Sequence, residues 1–108
     1  MTPEGRIKKD ITDALKTLGY IPYRIQCGRW RVRGGWMHGA ADGTPDLLVP
    51  VMLGEVKGIL WIETKTADGK LRAKQQDFRD TLKPFEYHIE ARSLDDVLDW
   101  LKKVKAHS

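Results

Sequence analysis

Two carboxylates and one lysine fall where sheet geometry would bring them together. Side chains alternate between faces along a strand, so Glu63 and Lys65 of the segment WIETK project to the same side. Asp46 opens the preceding apolar segment, and a β-hairpin of the two segments can bring its carboxylate beside Glu63, although a bulge at Pro50 leaves the pairing register open. Two carboxylates this close repel each other unless a cation lies between them, and such oxygen ligands suit Mg²⁺ or Mn²⁺. The spacing therefore predicts a divalent-metal site.

Glu4 is a third carboxylate whose position needs an explanation. It lies three residues before Ile7 and seven before Ile11, on the apolar stripe of a predicted first helix and away from the face that carries Lys8. Such an acid either stabilises the helix N-terminus through the macrodipole or points into a site. A Glu-x-Lys pair on a half-exposed strand is also commonplace, so neither feature assigns a reaction by itself.

A basic and aromatic segment extends from residue 24 to residue 36. It contains no acid, and its arginines alternate with glycines and two tryptophans: Arg24, Arg29, Arg31, Arg33, Trp30 and Trp36. Arginines in a glycine-rich segment can neutralise phosphates while aromatic rings contact bases. Residues 28–45 show no clear period, which predicts a loop. The segment is either a DNA-binding surface or a solvated loop whose tryptophans pack on the core.

Hydrophobic periodicity predicts the element order αβββαβα. The first helix begins after Thr2-Pro3 and ends at Gly19, and the last begins at Ser93 with Asp96 as its capping-box partner. The remaining elements are strands at 20–27, 46–53, 58–66 and 86–91 and a helix at 71–82. Pro50 indicates that the second strand either lies at an edge of the sheet or contains a bulge. These elements belong to an α/β fold.

Length and composition restrict the class of protein. The 108 residues allow one domain, spanning 1–108, with the 41% hydrophobic and 31% charged content of a globular protein. Lys and Arg outnumber Asp and Glu by 19 to 15, which favours an anionic partner. Cys27 and the histidines at 38, 88 and 107 lack zinc-ligand spacing. With no signal-peptide pattern and no long apolar run, we expect an intracellular protein.

The motifs around the paired carboxylates resemble those of the PD-(D/E)XK nuclease superfamily. Pro45-Asp46 precedes one apolar strand, and Glu63-Thr64-Lys65 closes the next. A fuller set resembles the VRR-NUC domain family within it: Glu4 on the first helix, Gly43-Thr44-Pro45-Asp46, Trp61-Ile62-Glu63-Thr64-Lys65, and Gln75 followed by Phe78. The similarity spans residues 4 to 78, and the length of the chain is similar to that of stand-alone phage or bacterial members.

The resemblance implies a restriction-endonuclease-like core, with a mixed central sheet flanked by helices, and a Mg²⁺- or Mn²⁺-dependent DNA endonuclease. Stand-alone members resemble enzymes that resolve four-way (Holliday) junctions, which implies structure-selective cleavage in the cytoplasm of a bacterium or an infected host cell. Carried over by position, Asp46, Glu63 and the Thr64 carbonyl would bind the cation, with Glu4 acting directly or through water. Lys65 would orient or activate the attacking water, and Gln75 would steady the site.

Several assignments stay open on the sequence. Gln76 rivals Gln75, and Lys65 serves either as a base or as a stabiliser of transition-state charge. His38 reads as an ordinary exposed or DNA-contacting residue, and Cys27 as a small buried hydrophobe. The alternative to an enzyme is a non-catalytic nucleic-acid-binding domain. A sequence-specific restriction nuclease is disfavoured, because so short a chain leaves little room for reading bases.

A two-fold symmetric homodimer is the expected working unit. A four-way junction must be cut in two strands, and a symmetric dimer holds two sites at a fixed separation. Trp30, Trp36 and residues 51–53 offer apolar surface for such an interface, or else they pack in the core.

Overall fold

Three helices and six strands occur within residues 1–106, the part of the chain that this computed structural model describes. In chain order they are α1 (Pro3–Thr17), β1 (Tyr23–Arg24), β2 (Arg29–Val32), β3 (Gly35–His38), β4 (Leu47–Leu53), β5 (Val56–Thr64), α2 (Ala73–Asp80), β6 (Glu86–Ala91) and α3 (Leu94–Ala106). His107, one of the residues considered for zinc binding, lies outside the described residues.

The central sheet is mixed, as the resemblance implied. Its strand order is β1-β4-β5-β6. β4 and β5 form an antiparallel hairpin whose register runs from Leu47 opposite Ile62 to Leu53 opposite Val56. β6 pairs with β5 in parallel, and α2 provides the crossover between them. The long central strand β5 is therefore bonded on both sides and ends at Glu63 and Thr64.

The predicted order αβββαβα was wrong in one place. Residues 29–38, expected to be loop, form a second two-stranded sheet of β2 and β3. Its turn consists of Arg33 and Gly34, and Gly34 has a φ of +92° that favours glycine. Arginines alternate with apolar residues in β2, but each strand has only 4 residues and neither face is part of the core, so the alternation is too short to identify a strand from the sequence.

Pro50 occupies a sheet edge and not a bulge. β1 is short and pairs only with Leu47 and Leu48 of β4, so the outer side of β4 is already without a strand neighbour at Pro50. The missing N–H of proline costs no ladder hydrogen bond there. The register with β5 continues unbroken, with Pro50 opposite Ile59.

The hydrophobic core lies between one face of the sheet and the helices α1 and α3. Alternate residues of β4 and β5, including Leu47, Val49 and Leu60, are fully buried with Leu15 of α1 and Val97 of α3. The hydroxyl of the N-cap residue of α1 accepts a hydrogen bond from an N–H of the first turn, as predicted. This packing fixes the first turn of α1 relative to the sheet.

Residues 51–53 were expected to lie either in the core or in a dimer interface. Their side chains alternate between the two faces of β4. Val51 is in the core, whereas Met52 points outward and is 54% exposed.

The second face of the sheet carries α2. The ring of Phe78 packs edge-on against Trp61, with centroids 5.0 Å apart. The helix spans Ala73–Asp80 and is shorter than the predicted 71–82. It begins where the Gln75 side chain accepts a hydrogen bond from the Arg72 N–H, at 2.8 Å. α2 is thus tied to the strand that carries Glu63.

α3 begins directly after Ser93, as predicted, but the Asp96 carboxylate accepts its hydrogen bond from the N–H of Arg92 and not from that of Ser93. Within residues 1–106, no helix has the length and apolar character needed to cross a membrane.

Candidate metal centre

Three carboxylates meet where β4 begins and β5 ends. Asp46 directly precedes β4, and the register of the hairpin places it opposite Glu63. Glu4 reaches the same point from the first turn of α1. One carboxylate oxygen from each of the three residues lies within 4.8 Å of the others. The structure thus brings together the acids that the sequence singled out, and it places Glu4 in the site.

Thr64 holds Asp46 in place. Its backbone N–H and its hydroxyl both donate to Asp46 Oδ2, at 2.9 and 2.7 Å. Thr64 is fully buried, so these two bonds fix the orientation of the carboxylate. The predicted ligation of a cation by the Thr64 carbonyl stays a prediction.

Glu63 is an almost fully buried carboxylate, only 3% exposed. Its Oε1 accepts a hydrogen bond from Gln75 Nε2 at 2.9 Å, whereas its Oε2 is buried with no hydrogen-bond donor among the described residues. Burial and the neighbouring Asp46 raise the pKa of Glu63 to about 7, although Lys65 opposes this.

The donor set fits a hard divalent cation. A buried carboxylate with one unpartnered oxygen, close to two further carboxylates, is costly unless a cation compensates it. Oxygen-only ligands of this kind suit Mg²⁺ or Mn²⁺.

Lys65 and Gln75 border the same centre. Lys65 Nζ lies 3.8 Å from Glu63 Oε1, and its side chain is 12% exposed. Gln75 is buried and bridges Glu63 to the start of α2. Its rival Gln76 is exposed and donates to the Leu71 carbonyl. Of the two glutamines, Gln75 is therefore the one that contacts the carboxylate cluster.

Lys8 is a site residue that the sequence reasoning missed. It was expected on the opposite face of the helix from Glu4, but its Nζ lies 3.4 Å from Asp46 Oδ1. Residues four apart are neighbours on a helix surface, so the spacing of Glu4 and Lys8 was the available signal.

Two cavities meet at Asp46. The first, about 440 Å³, contains the three carboxylates, Lys65 and Gln75. The second, about 460 Å³, is lined by Lys8, Arg24, Ile25, Gln26 and Asp46. The two share Ile25, Gln26 and Asp46 and so form neighbouring parts of one surface depression.

The loop before Asp46 is docked onto α2. Gly43 has a φ of +95°, and a Cβ there would lie 2.4 Å from the Lys74 carbonyl oxygen, so no larger residue fits this approach. Asp42 pairs with Arg72 at 3.1 Å and with Lys74 at 3.6 Å. The loop therefore presents Asp46 to the centre in a fixed position.

A solved structure described as a VRR_NUC domain superposes on this arrangement of helices and strands. The match has a TM-score of 0.65 and covers 94% of this chain and 97% of that chain, at 21% sequence identity. This chain has the fold of a VRR_NUC domain. The resemblance read from the motifs is thereby confirmed for the fold. No family model matches the sequence, and no curated protein matches it.

The β2–β3 hairpin is an exposed arm of this VRR_NUC fold. Directly opposed pairs put Arg29, Arg31, Trp36 and His38 on one face and Trp30, Val32 and Met37 on the other. The guanidinium carbons of Arg29 and Arg31 lie 4.7 and 5.7 Å from the centre of the Trp36 ring. Trp36 is 48% exposed, so the alternative in which it packs on the core is wrong.

The root of the hairpin adjoins the carboxylate cluster. Cys27 and Ala40 form a bridge at its base, and the Cys27 thiol donates to the Thr44 carbonyl at 3.3 Å. Burial and Asp46 raise the pKa of this thiol, in keeping with a packed and unreactive cysteine. Arg24 lies outside the hairpin, in β1, where it lines the second cavity.

Proposed function

We propose that the protein is a divalent-metal-dependent DNA endonuclease that hydrolyses phosphodiester bonds. The observation that carries this proposal is the cluster of Glu4, Asp46 and Glu63, in which Glu63 Oε2 is buried and unpartnered. The nuclease-like fold of the VRR_NUC domain supports the same conclusion. A buried carboxylate with a raised pKa in a cleft is typical of a functional site.

Each residue of the centre has a separate task in this proposal. Asp46, Glu63 and Glu4 hold Mg²⁺ or Mn²⁺, together with the Thr64 carbonyl. A cation held by these residues would supply Lewis-acid chemistry, which polarises a phosphate and favours ionisation of a water molecule. Lys65 Nζ, close to Glu63, orients that water, accepts its proton or stabilises the charge that develops on the phosphate.

Gln75 acts on the centre through Glu63. Its amide group donates to Glu63 Oε1, and Oε2, which has no partner among the described residues, would be free to bind the cation. Gln75 is therefore a positioning residue in this proposal.

The DNA-binding surface extends from the centre along the basic hairpin. Arg29, Arg31 and Arg33 neutralise phosphates, Trp36 contacts the sugars or bases, and Arg24 contributes from β1. A two-stranded ribbon is narrow enough to enter the major groove of DNA. Its position beside the metal centre supports contact with the duplex that is cut.

The proposed substrate is branched DNA, above all a four-way junction, and the proposed working unit is a homodimer. One chain carries one carboxylate cluster within residues 1–106, so paired incisions require two copies. The similarity to stand-alone VRR-NUC proteins supports the same substrate.

A cleavage assay tests the reaction and the substrate together. Labelled linear, flap and four-way junction DNA are incubated with the protein in Mg²⁺, Mn²⁺ or excess chelator. Cation-dependent cutting, fastest on the junction, is the expected result. DNA binding without cutting in either cation would support the alternative, a non-catalytic nucleic-acid-binding domain.

Light scattering at micromolar concentration tests the dimer, which should have close to twice the mass of the 12.4 kDa chain. Mixed dimers of wild-type and Asp46→Asn protein should nick junctions on one strand only. A monomer that makes paired incisions would contradict the dimer.

A further inference from the structure

We propose that Lys8 and Arg24 form a second phosphate-binding site, beside the metal centre, for a phosphodiester that neighbours the one being cut. This inference rests on the proposed function, because it assigns the path of the DNA strand across the same surface. The site is the cavity of about 460 Å³ that adjoins the carboxylate cluster. Its ligand class is a backbone phosphate of DNA.

The charges of the two cavities have opposite signs. Glu4, Asp42, Asp46 and Glu63 line the first cavity, which also holds Lys65 and Arg72. The second has two cations, Lys8 and Arg24, and Asp46 as its acid. A phosphate in the second cavity therefore meets a local excess of positive charge without any cation bound.

The backbone holds Arg24 at this place. Arg24 pairs with Leu47 at the start of β4, and the next residue, Ile25, donates its N–H to the Asp46 carbonyl at 2.8 Å. The short strand β1 is thus bonded to the segment that carries the metal ligand. Among the described residues, the Arg24 guanidinium has no ion pair, so its charge is available to a ligand.

Lys8 has one charged partner among the described residues, Asp46 Oδ1 at 3.4 Å. The other carboxylate oxygen, Oδ2, already accepts two hydrogen bonds from Thr64. A cation bound by Asp46 therefore competes with the Lys8 ammonium for Oδ1. Once displaced, Lys8 remains at the rim of the second cavity, where a phosphate is its natural partner.

This arrangement predicts two effects of opposite sign when the Lys8 charge is removed. Lys8→Gln should bind Mn²⁺ about three- to tenfold more tightly without DNA, because a nearby positive charge is lost. The same variant should bind DNA more weakly in excess chelator, and its salt dependence should flatten by about one unit. A lysine that only neutralised Asp46 would produce the first effect without the second.

Lys9→Gln is the matched control. Lys9 is the next residue of α1, its side chain is 59% exposed, and it pairs with Asp13 outside either cavity. This variant removes the same charge and should leave Mn²⁺ affinity and the salt dependence of DNA binding close to wild type. Arg24→Gln should weaken DNA binding and leave Mn²⁺ affinity unchanged, and Lys8→Arg should retain DNA affinity.

The outcomes separate this site from the proposed function. If Lys8→Gln and Lys9→Gln bind DNA equally, while the wild-type protein binds and cuts it, the second phosphate site is wrong and the nuclease proposal stands. Unchanged or weaker Mn²⁺ binding by Lys8→Gln would also overturn the inference. If the wild-type protein neither binds nor cuts DNA, the proposed function fails, and the second site fails with it.

Discussion

The candidate metal centre and the β2–β3 hairpin both carry charged side chains, but they hold them in opposite ways. At the centre, Glu63 is 3% exposed and Thr64 and Gln75 anchor the carboxylates by hydrogen bonds. On the hairpin, Arg29 and Arg31 are exposed and contact Trp36 of the same arm. One region is supported by the core of the protein and the other by its own strand pairing.

This difference predicts which property each region controls. The rate of hydrolysis at a cation depends on the positions of its ligands, and small displacements of those ligands lower the rate. Such a reaction therefore requires carboxylates that are buried and held by hydrogen bonds. Attraction between arginines and phosphates acts over the Debye length, about 10 Å at 0.1 M salt, and tolerates an exposed arm. Substitutions at the centre should change turnover, whereas those on the hairpin should change affinity.

Asp46→Asn should have the largest effect. Loss of one metal-binding carboxylate should lower kcat at least about 1,000-fold. DNA binding should stay the same or become tighter, because a negative charge near phosphate is removed. The measurements are single-turnover cleavage and DNA binding, with Asp10→Asn, an exposed acid on α1 outside both cavities, as control. Undiminished cutting by Asp46→Asn, or full activity in excess chelator, would contradict the assignment of Asp46 as a metal ligand.

The buried state of Glu63 should appear in the pH dependence of stability. Its pKa in the folded protein is about 7 against an ordinary 4.5, so the folded state binds the proton more tightly than the unfolded chain. In chelator, the free energy of unfolding should therefore fall from pH 4.5 to pH 7, by up to about 3 kcal/mol.

The matched measurement is denaturation of Glu63→Gln over the same pH range. Burial lowers the pKa of His88, so His88 favours unfolding below its ordinary pKa of 6.5. Subtracting the Glu63→Gln curve from the wild-type curve removes this contribution. Mn²⁺ added at pH 8 should restore stability to the wild-type protein. A difference curve that is flat between pH 4.5 and 7 would contradict the buried carboxylate.

Replacement of Arg29, Arg31 and Arg33 by Ala should act on affinity alone. The Kd for all DNA forms should rise about 10- to 100-fold, and the salt dependence should flatten by about one unit for each lost contact. The value of kcat at saturating DNA should stay close to wild type.

The control is a second triple variant, Lys16, Lys102 and Lys103 to Ala, which removes the same charge from exposed positions on α1 and α3. An unchanged salt dependence in the hairpin variant would show that the hairpin serves the fold or a dimer interface.

The smallest expected effect separates two adjacent glutamines. Gln75→Ala removes one hydrogen bond to Glu63 and one from the Arg72 N–H, so it should lower the free energy of unfolding by about 1 to 2 kcal/mol. Gln76→Ala, at an exposed position, should change it by less than about 0.5 kcal/mol. Chemical denaturation measures the stability of both variants. Equal losses of unfolding free energy would contradict the role of Gln75 in holding Glu63.

The amino-acid sequence determined the features that depend on local geometry. The cap at Thr2 starts α1, and alternation along β5 puts Glu63 and Lys65 on one face. The sequence also predicted the hairpin that can bring Asp46 near Glu63, but its register stayed open because Pro50 allowed a bulge, and the unbroken pairing of the structure fixed it.

Only the tertiary structure decided which helix side chains reach that pair. The rotation of α1 on the sheet turns Lys8 toward Asp46, and the docking of α2 selects Gln75 over Gln76. The β2–β3 hairpin was not predicted because its strands have only 4 residues each and neither of its faces is buried in the core, so the alternation in β2 is too short to mark a strand. Spacing along the chain fixes neighbours within one element, whereas contacts between elements depend on how the whole core packs.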